Sequence, residues 1–153
     1  MEKGPEQQKP DTRPNWIKNN EVGTGQVEYD SEKIPYTILK KDLEPRLPGF
    51  LGYLNGENLF ISEEVPEAFR LPQLIHEIIE FTELKGQKGR CVEALKRELE
   101  TVPEGIKKDY IRYRTDFFAR LVEFYKSSND EDFKTEIKAS HEFLRTLDND
   151  NIA

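Results

Sequence analysis

The segment from about Glu104 to Ser127 constrains the fold more than any other part of the chain. Ile106, Tyr110, Tyr113, Phe117, Leu121 and Phe124 recur at helical spacing, and Ile111, Phe118 and Val122 form a second stripe beside the first. A helix that is apolar over about half its circumference belongs at the centre of a core, with other elements covering both stripes. Arg114 projects between the stripes, so its guanidinium is expected to be partly buried and to need a carboxylate, for which Glu77 or Glu80 would serve. Projected at about 100° per residue, Lys107, Lys108, Arg112 and Arg114 scatter around the helix. A nucleic-acid site needs a continuous basic stripe, so no nucleic-acid partner is expected.

The elements around this helix follow from local signals. Helical periodicity predicts a helix from about Pro66 to Lys85, stopped by Gly86, and another over Gly89–Thr101, closed by Pro103. A last helix starts at the Ser128-Asn129-Asp130 cap and ends near Leu147. Upstream, Ile34–Leu39 has the composition of a short strand, which Pro35 restricts to an edge or a strand start. Phe50–Leu54 and Asn58–Ile61 flank Asn55-Gly56, a pair that tolerates the positive φ of a tight hairpin turn. The expected fold class is α+β: a small antiparallel sheet containing this hairpin, packed by about four helices and spanning 34–150.

A chain of 153 residues suits one domain. Its 35% hydrophobic and 35% charged content looks sparse for a core, but the shortfall lies in residues 1–33. There, Pro5, Pro10, Pro14, Gly23 and Gly25 stand among polar residues, which predicts a flexible N-terminal tail. Trp16-Ile17 is its only hydrophobic point, either a patch clipped onto the domain or a linear motif for a partner.

A net charge of −7 disfavours nucleic acid and anionic membranes, and no apolar run could span a bilayer. Met1–Pro5 lacks the apolar stretch of a secretory signal, and the single Cys91 rules out an internal disulfide or a zinc ribbon. A cytoplasmic location is the expectation. With no His close to it in sequence, Cys91 is expected to be a small buried hydrophobe. Nothing in the sequence sets the oligomeric state.

The stretch that suggests chemistry is His76-Glu77-Ile78-Ile79-Glu80. His76 and Glu80, one helical turn apart, can reach a single ion, and zinc accepts both imidazole nitrogen and carboxylate oxygen. Glu77 would then stand beside the ion as a proton acceptor. Against this stands a plain alternative, in which Gln73, His76, Glu77, Glu80 and Glu83 are the solvated face of an amphipathic helix.

Leu74-Ile75-His76-Glu77-Ile78-Ile79-Glu80 resembles the active helix of the zincin metallopeptidases: two apolar residues, His-Glu, two variable residues and a second His. The resemblance covers about Phe50 to Pro103 and is nearest to the small intracellular bacterial zincins that act in regulation. It implies a strand edge before the helix that holds an extended peptide, and a zinc ion held by His76 and Glu80. It also implies a third ligand from the next helix. Glu93-Ala94 is similar to the ligand Glu plus small residue of the glutamate-type zincins, and Glu98 is the other candidate; Glu77 would be catalytic. The departure is Glu80, where the family has a second histidine; a more anionic ligand set weakens the ion as a Lewis acid. The implied function is a zincin-like, metal-binding protein with uncertain or reduced peptide-hydrolase activity. The alternative is a non-enzymatic interaction protein that presents its acidic helical face or the Trp16 tail to a peptide or protein partner. His141 could add a ligand, although a lone helical histidine is more often a surface residue.

Overall fold

A computed structural model describes residues 11–54 and 56–152. A four-residue helix, α1 (Asn15–Lys18), precedes strands β1 (Glu21–Tyr29), β2 (Glu32–Leu39), β3 (Leu51–Leu54) and β4 (Asn58–Ser62). Helix α2 (Arg70–Ile78) runs on into a π-helical turn (Ile79–Glu83), and α3 (Arg90–Glu100), α4 (Glu104–Phe124) and α5 (Glu131–Ile152) follow. The fold is α+β, and the helices lie where their periodicity puts them, except that α5 runs past the expected end near Leu147 to Ile152.

The sheet has the order β1-β2-β4-β3 and is mixed rather than antiparallel throughout. β1–β2 and β3–β4 are antiparallel hairpins, but β2 and β4 run parallel, with Tyr36 opposite Leu59 and Leu39 opposite Ser62. The direction follows from the path. The chain leaves β2, passes to the far edge as β3, and turns back to fill the space between as β4. β2 is thus an interior strand, not the edge expected from Pro35, and Pro35 is its fourth residue. The proline is tolerated because the β4 ladder begins only at Tyr36, which leaves Gln26 on β1 as its cross-strand neighbour. In the β3–β4 turn, the Glu57 amide donates to the Leu54 carbonyl at 2.9 Å and Gly56 takes φ +69°. Asn55, the other half of the expected turn signal, lies outside the described residues.

The expected tail over 1–33 needs correction, apart from residues 1–10, which lie outside the described residues. β1 is a full partner of β2, and Asp30 and Ser31 join them with φ of 52° and 66°. Positive φ at both central residues is what a two-residue hairpin needs, here met without glycine. The glycines that resemble a linker serve packing. A Cβ on Gly25 would lie 2.5 Å from the Tyr36 ring, which crosses from β2 over the bare backbone. Main-chain pairing holds this strand, so it needs little apolar content beyond the buried Val27.

Two apolar layers flank the sheet. Leu74 and Ile78 of α2 pack on Val27, Leu59, Ile61 and Val65. Ile17, Leu39, Leu47 and Phe50 join Leu95, Phe117, Phe118, Ile137 and Leu144 from the helical side. Ile17 is 1% exposed, and Trp16 beside it meets Phe60 edge to face at 5.4 Å. As expected, α4 is central: Tyr110, Ile111, Phe117 and Phe118 are buried, and so is Arg114 between its stripes. No helix among the described residues is long and apolar enough to cross a membrane.

Candidate metal centre

The face of α2 expected to be solvated is largely buried. Gln73, His76 and Glu80 are 0%, 2% and 8% exposed, because α3 and α4 cover the side of α2 that the sheet leaves open. Past Ile78 the helix widens. The Leu84 amide donates to the Ile79 carbonyl at 3.0 Å, five residues back, so Glu80 sits in a π turn of a kind that recurs at functional sites.

His76 and Glu80 meet as their spacing predicts, with Nε2 3.2 Å from Oε1. The third donor is neither of the expected glutamates. Cys91 Sγ lies 3.7 Å from the same Nε2, and one donor atom from each of His76, Glu80 and Cys91 falls within 4.8 Å of the others. This buried group could hold a metal ion. Bonds of roughly 2.0–2.3 Å at a tetrahedral centre set neighbouring donors about 3.3–3.8 Å apart, close to both distances found here. A divalent cation would also balance a Cys91 thiolate and the Glu80 carboxylate.

Helix geometry explains the exchange of ligands. Cys91 and Glu98 are seven residues apart on α3 and share one face, together with Ala94 and Leu95; Glu93 projects from the opposite side. The structure does not bring Glu93 to the site: it pairs with Arg97 at 3.4 Å with 46% of its side chain exposed. Glu98 does reach His76, but at the other nitrogen, with Oε1 2.8 Å from Nδ1. It is therefore a neighbour of the imidazole, not a third ligand on Nε2. His141 takes no part in the cluster. The signal for Cys91 was present, in its heptad spacing from Glu98 on an inward face, but its histidine lies fifteen residues away in sequence. A carboxylate from α5 fixes the thiol's position. Glu136 accepts hydrogen bonds from the backbone amides of Gly89 (2.8 Å) and Cys91 (3.1 Å), and so caps the start of α3.

Arg114 is buried as expected, but its partner is Glu98 rather than Glu77 or Glu80. Its Nε donates to Oε2 at 2.8 Å, Nη2 to Oε1 at 3.2 Å and Nη1 to Gln73 at 3.4 Å. The guanidinium lies 5.4 Å from the Phe117 ring centre and 5.0 Å from that of Phe118. Tyr110 Oη donates a further short hydrogen bond to Glu98 Oε2. Glu80 thus escapes Arg114. Its second oxygen is 3.5 Å from the Arg90 Nε, which leaves Oε1 for His76 or an ion.

The charges shift one another's protonation. Burial works against ionising Glu98, but Arg114 and His76 beside it hold the carboxyl below its usual range. Burial opposes charge on His76 as well, yet Cys91, Glu80 and Glu98 around the ring raise its pKa well above the usual value. For Cys91 burial prevails and pushes the thiol up, with His76 pulling the other way. Glu77 is pushed up to about 7, chiefly by burial with Glu80 adding to it, while His76 and Arg114 oppose.

These groups border a cavity of about 360 Å³. Leu51–Leu54 of β3 form one wall, Phe117, Phe118 and Leu121 another, and Phe133 and Ile137 of α5 a third. His76, Glu77, Glu80, Cys91 and Arg114 all line it. β3 carries Gly52 here because the Phe60 ring lies across it; a Cβ would approach that ring to 2.7 Å. A concave, mostly apolar pocket with a few convergent polar groups is the usual form of a ligand site. Searched against known proteins, the chain matches no protein-family model, no curated protein and no solved structure.

Proposed function

We propose that this protein is a zincin-like, zinc-binding peptide hydrolase of reduced activity, with His76, Glu80 and Cys91 as ligands and Glu77 as the proton acceptor. The observation that carries the reading is the convergence of Nε2, Oε1 and Sγ in the lining of an apolar cavity that Glu77 also lines. Imidazole, carboxylate and thiolate together suit zinc and poorly suit magnesium or calcium, which take oxygen ligands. Zinc held there would supply Lewis acidity to polarise a substrate carbonyl.

The chain's own residues do the rest. A carboxyl poised near neutrality, as Glu77 is, both accepts a proton readily and gives it up again. β3 pairs only with β4 among the described strands, so its outer edge offers main-chain groups to an extended peptide along the cavity wall. The apolar walls take a bulky uncharged side chain and exclude water. Two anionic ligands beside one imidazole dampen the ion's field, which supports reduced rather than full activity. A reducing cytoplasm suits a centre that depends on Cys91 as a free thiol.

Metal analysis of the purified chain tests this. One zinc per chain is expected, lost in His76→Gln. Glu77→Gln should keep its zinc and lose roughly 10²–10⁴-fold in peptide hydrolysis. A folded wild-type chain that takes up no zinc overturns the reading.

A further inference from the structure

We propose that Glu98 is the positioning residue of this centre: it keeps Nδ1 of His76 as the proton-bearing nitrogen and so keeps Nε2 turned toward Glu80 and Cys91. The inference rests on the zinc-site reading. It starts from the difference between two buried glutamates. Glu80 has 10% of its side chain exposed and pairs with His76 at 3.2 Å and, at 3.5 Å, with Arg90. Glu98 is 0% exposed and held from several sides. Its Oε2 accepts from Tyr110 Oη and Arg114 Nε, and its Oε1 accepts from Arg114 Nη2. Arg114 in turn stands over Phe117 and Phe118, so neither member of the pair can turn without uncovering a buried charge.

A carboxylate so fixed is a rigid acceptor, and Oε1 stands 2.8 Å from His76 Nδ1. The approach is bent, so this is a close charged contact rather than a formed hydrogen bond. Among the described residues Nδ1 has no hydrogen-bond partner, Glu98 being the acceptor within reach. A flipped ring would put a carbon against the buried carboxylate and take Nε2 away from Cys91. Only one orientation of the imidazole therefore sets a nitrogen toward the Glu98 carboxylate and the other toward Glu80 and Cys91. Histidine ligands usually carry such a carboxylate on the nitrogen that faces away from the ion, and losing it typically costs 10–100-fold in metal affinity. Glu98 does this from the helix that also supplies Cys91, so the ligand and the orienting group move as one body.

The test uses the full chain with zinc ions alone as the probe. Nitrogen-15 NMR of the wild type, with and without zinc, should show a slowly exchanging proton on His76 Nδ1. In Glu98→Gln that proton should exchange faster, and zinc affinity, read by chelator competition, should fall 10–100-fold. Tyr110→Phe removes one donor to Glu98 and should produce the same changes to a smaller degree, which keeps the test open if Glu98→Gln does not fold. A wild-type ring that carries its only proton on Nε2, or a folded Glu98→Gln with unchanged zinc affinity, overturns the proposal. A wild type that binds no zinc yet shows the Nδ1 proton defeats the metal reading and leaves the orienting contact standing.

Discussion

Replacing Arg114 with methionine removes one buried charge while keeping most of the side chain's volume, and the cost can be worked from its partner. Glu98 is 0% exposed and loses the two hydrogen bonds that the guanidinium donates to it, leaving Tyr110 and His76 beside it. Stranding one member of a buried ion pair costs about 3–5 kcal/mol. Glu98 has one escape, which is to take up a proton. From an ordinary carboxyl pKa of 4.5, protonation at pH 7 costs about 3.4 kcal/mol at 1.36 kcal/mol per unit. That figure caps the electrostatic loss. His76 beside Oε1 offsets part of it, which places the expected destabilisation at about 2–3 kcal/mol at neutral pH.

The sign with pH follows. In the wild type the Glu98 pKa is depressed, so its contribution is present above the ordinary carboxyl value and fades as pH falls through the folded value. In the variant the carboxyl is protonated when folded and loses stability as pH rises above the ordinary value. The gap between the two proteins should shrink to about 1 kcal/mol or less at pH 5. Urea unfolding at pH 5, 6 and 7, followed by far-UV circular dichroism with the slope compared between proteins, measures it. A loss below 1 kcal/mol at pH 7, or one that does not change with pH, would refute the claim that an ionised Glu98 depends on Arg114.

Ile17→Ala should cost about 2–4 kcal/mol in the same assay, because Ile17 is fully buried in the main core; a loss under 1 kcal/mol would return residues 14–20 to the status of an appendage. Two substitutions on α3 should separate cleanly in zinc titrations. Cys91→Ser weakens binding by at least tenfold, whereas Glu93→Ala, which touches only Arg97 at the surface, leaves it unchanged. The reverse result would restore the glutamate site that the helix geometry disfavours.

Much of this protein is set by neighbours in sequence. Apolar residues at helical spacing fix α2 to α5, since a helix only has to hide one stripe and the stripe is written locally. The β3–β4 hairpin is likewise legible in Asn55-Gly56, and the burial of Arg114 in its place between two stripes. The pairing of His76 with Glu80 needs nothing beyond one helical turn. Other features depend on residues that meet only after folding. β1 has almost no apolar signature, because it is held by backbone hydrogen bonds to β2 and by Tyr36 lying over Gly25. The parallel alignment of β2 and β4 is decided by where β3 lands. At the site, an isolated cysteine became the third donor and an expected ligand became the partner of Arg114. Which face of α3 turns toward α2 decides both, and that rotation is set by packing of Ala94 and Leu95 rather than by the identity of the polar residues. Local periodicity says which faces are buried; only the packed helices decide which buried polar groups share a cavity.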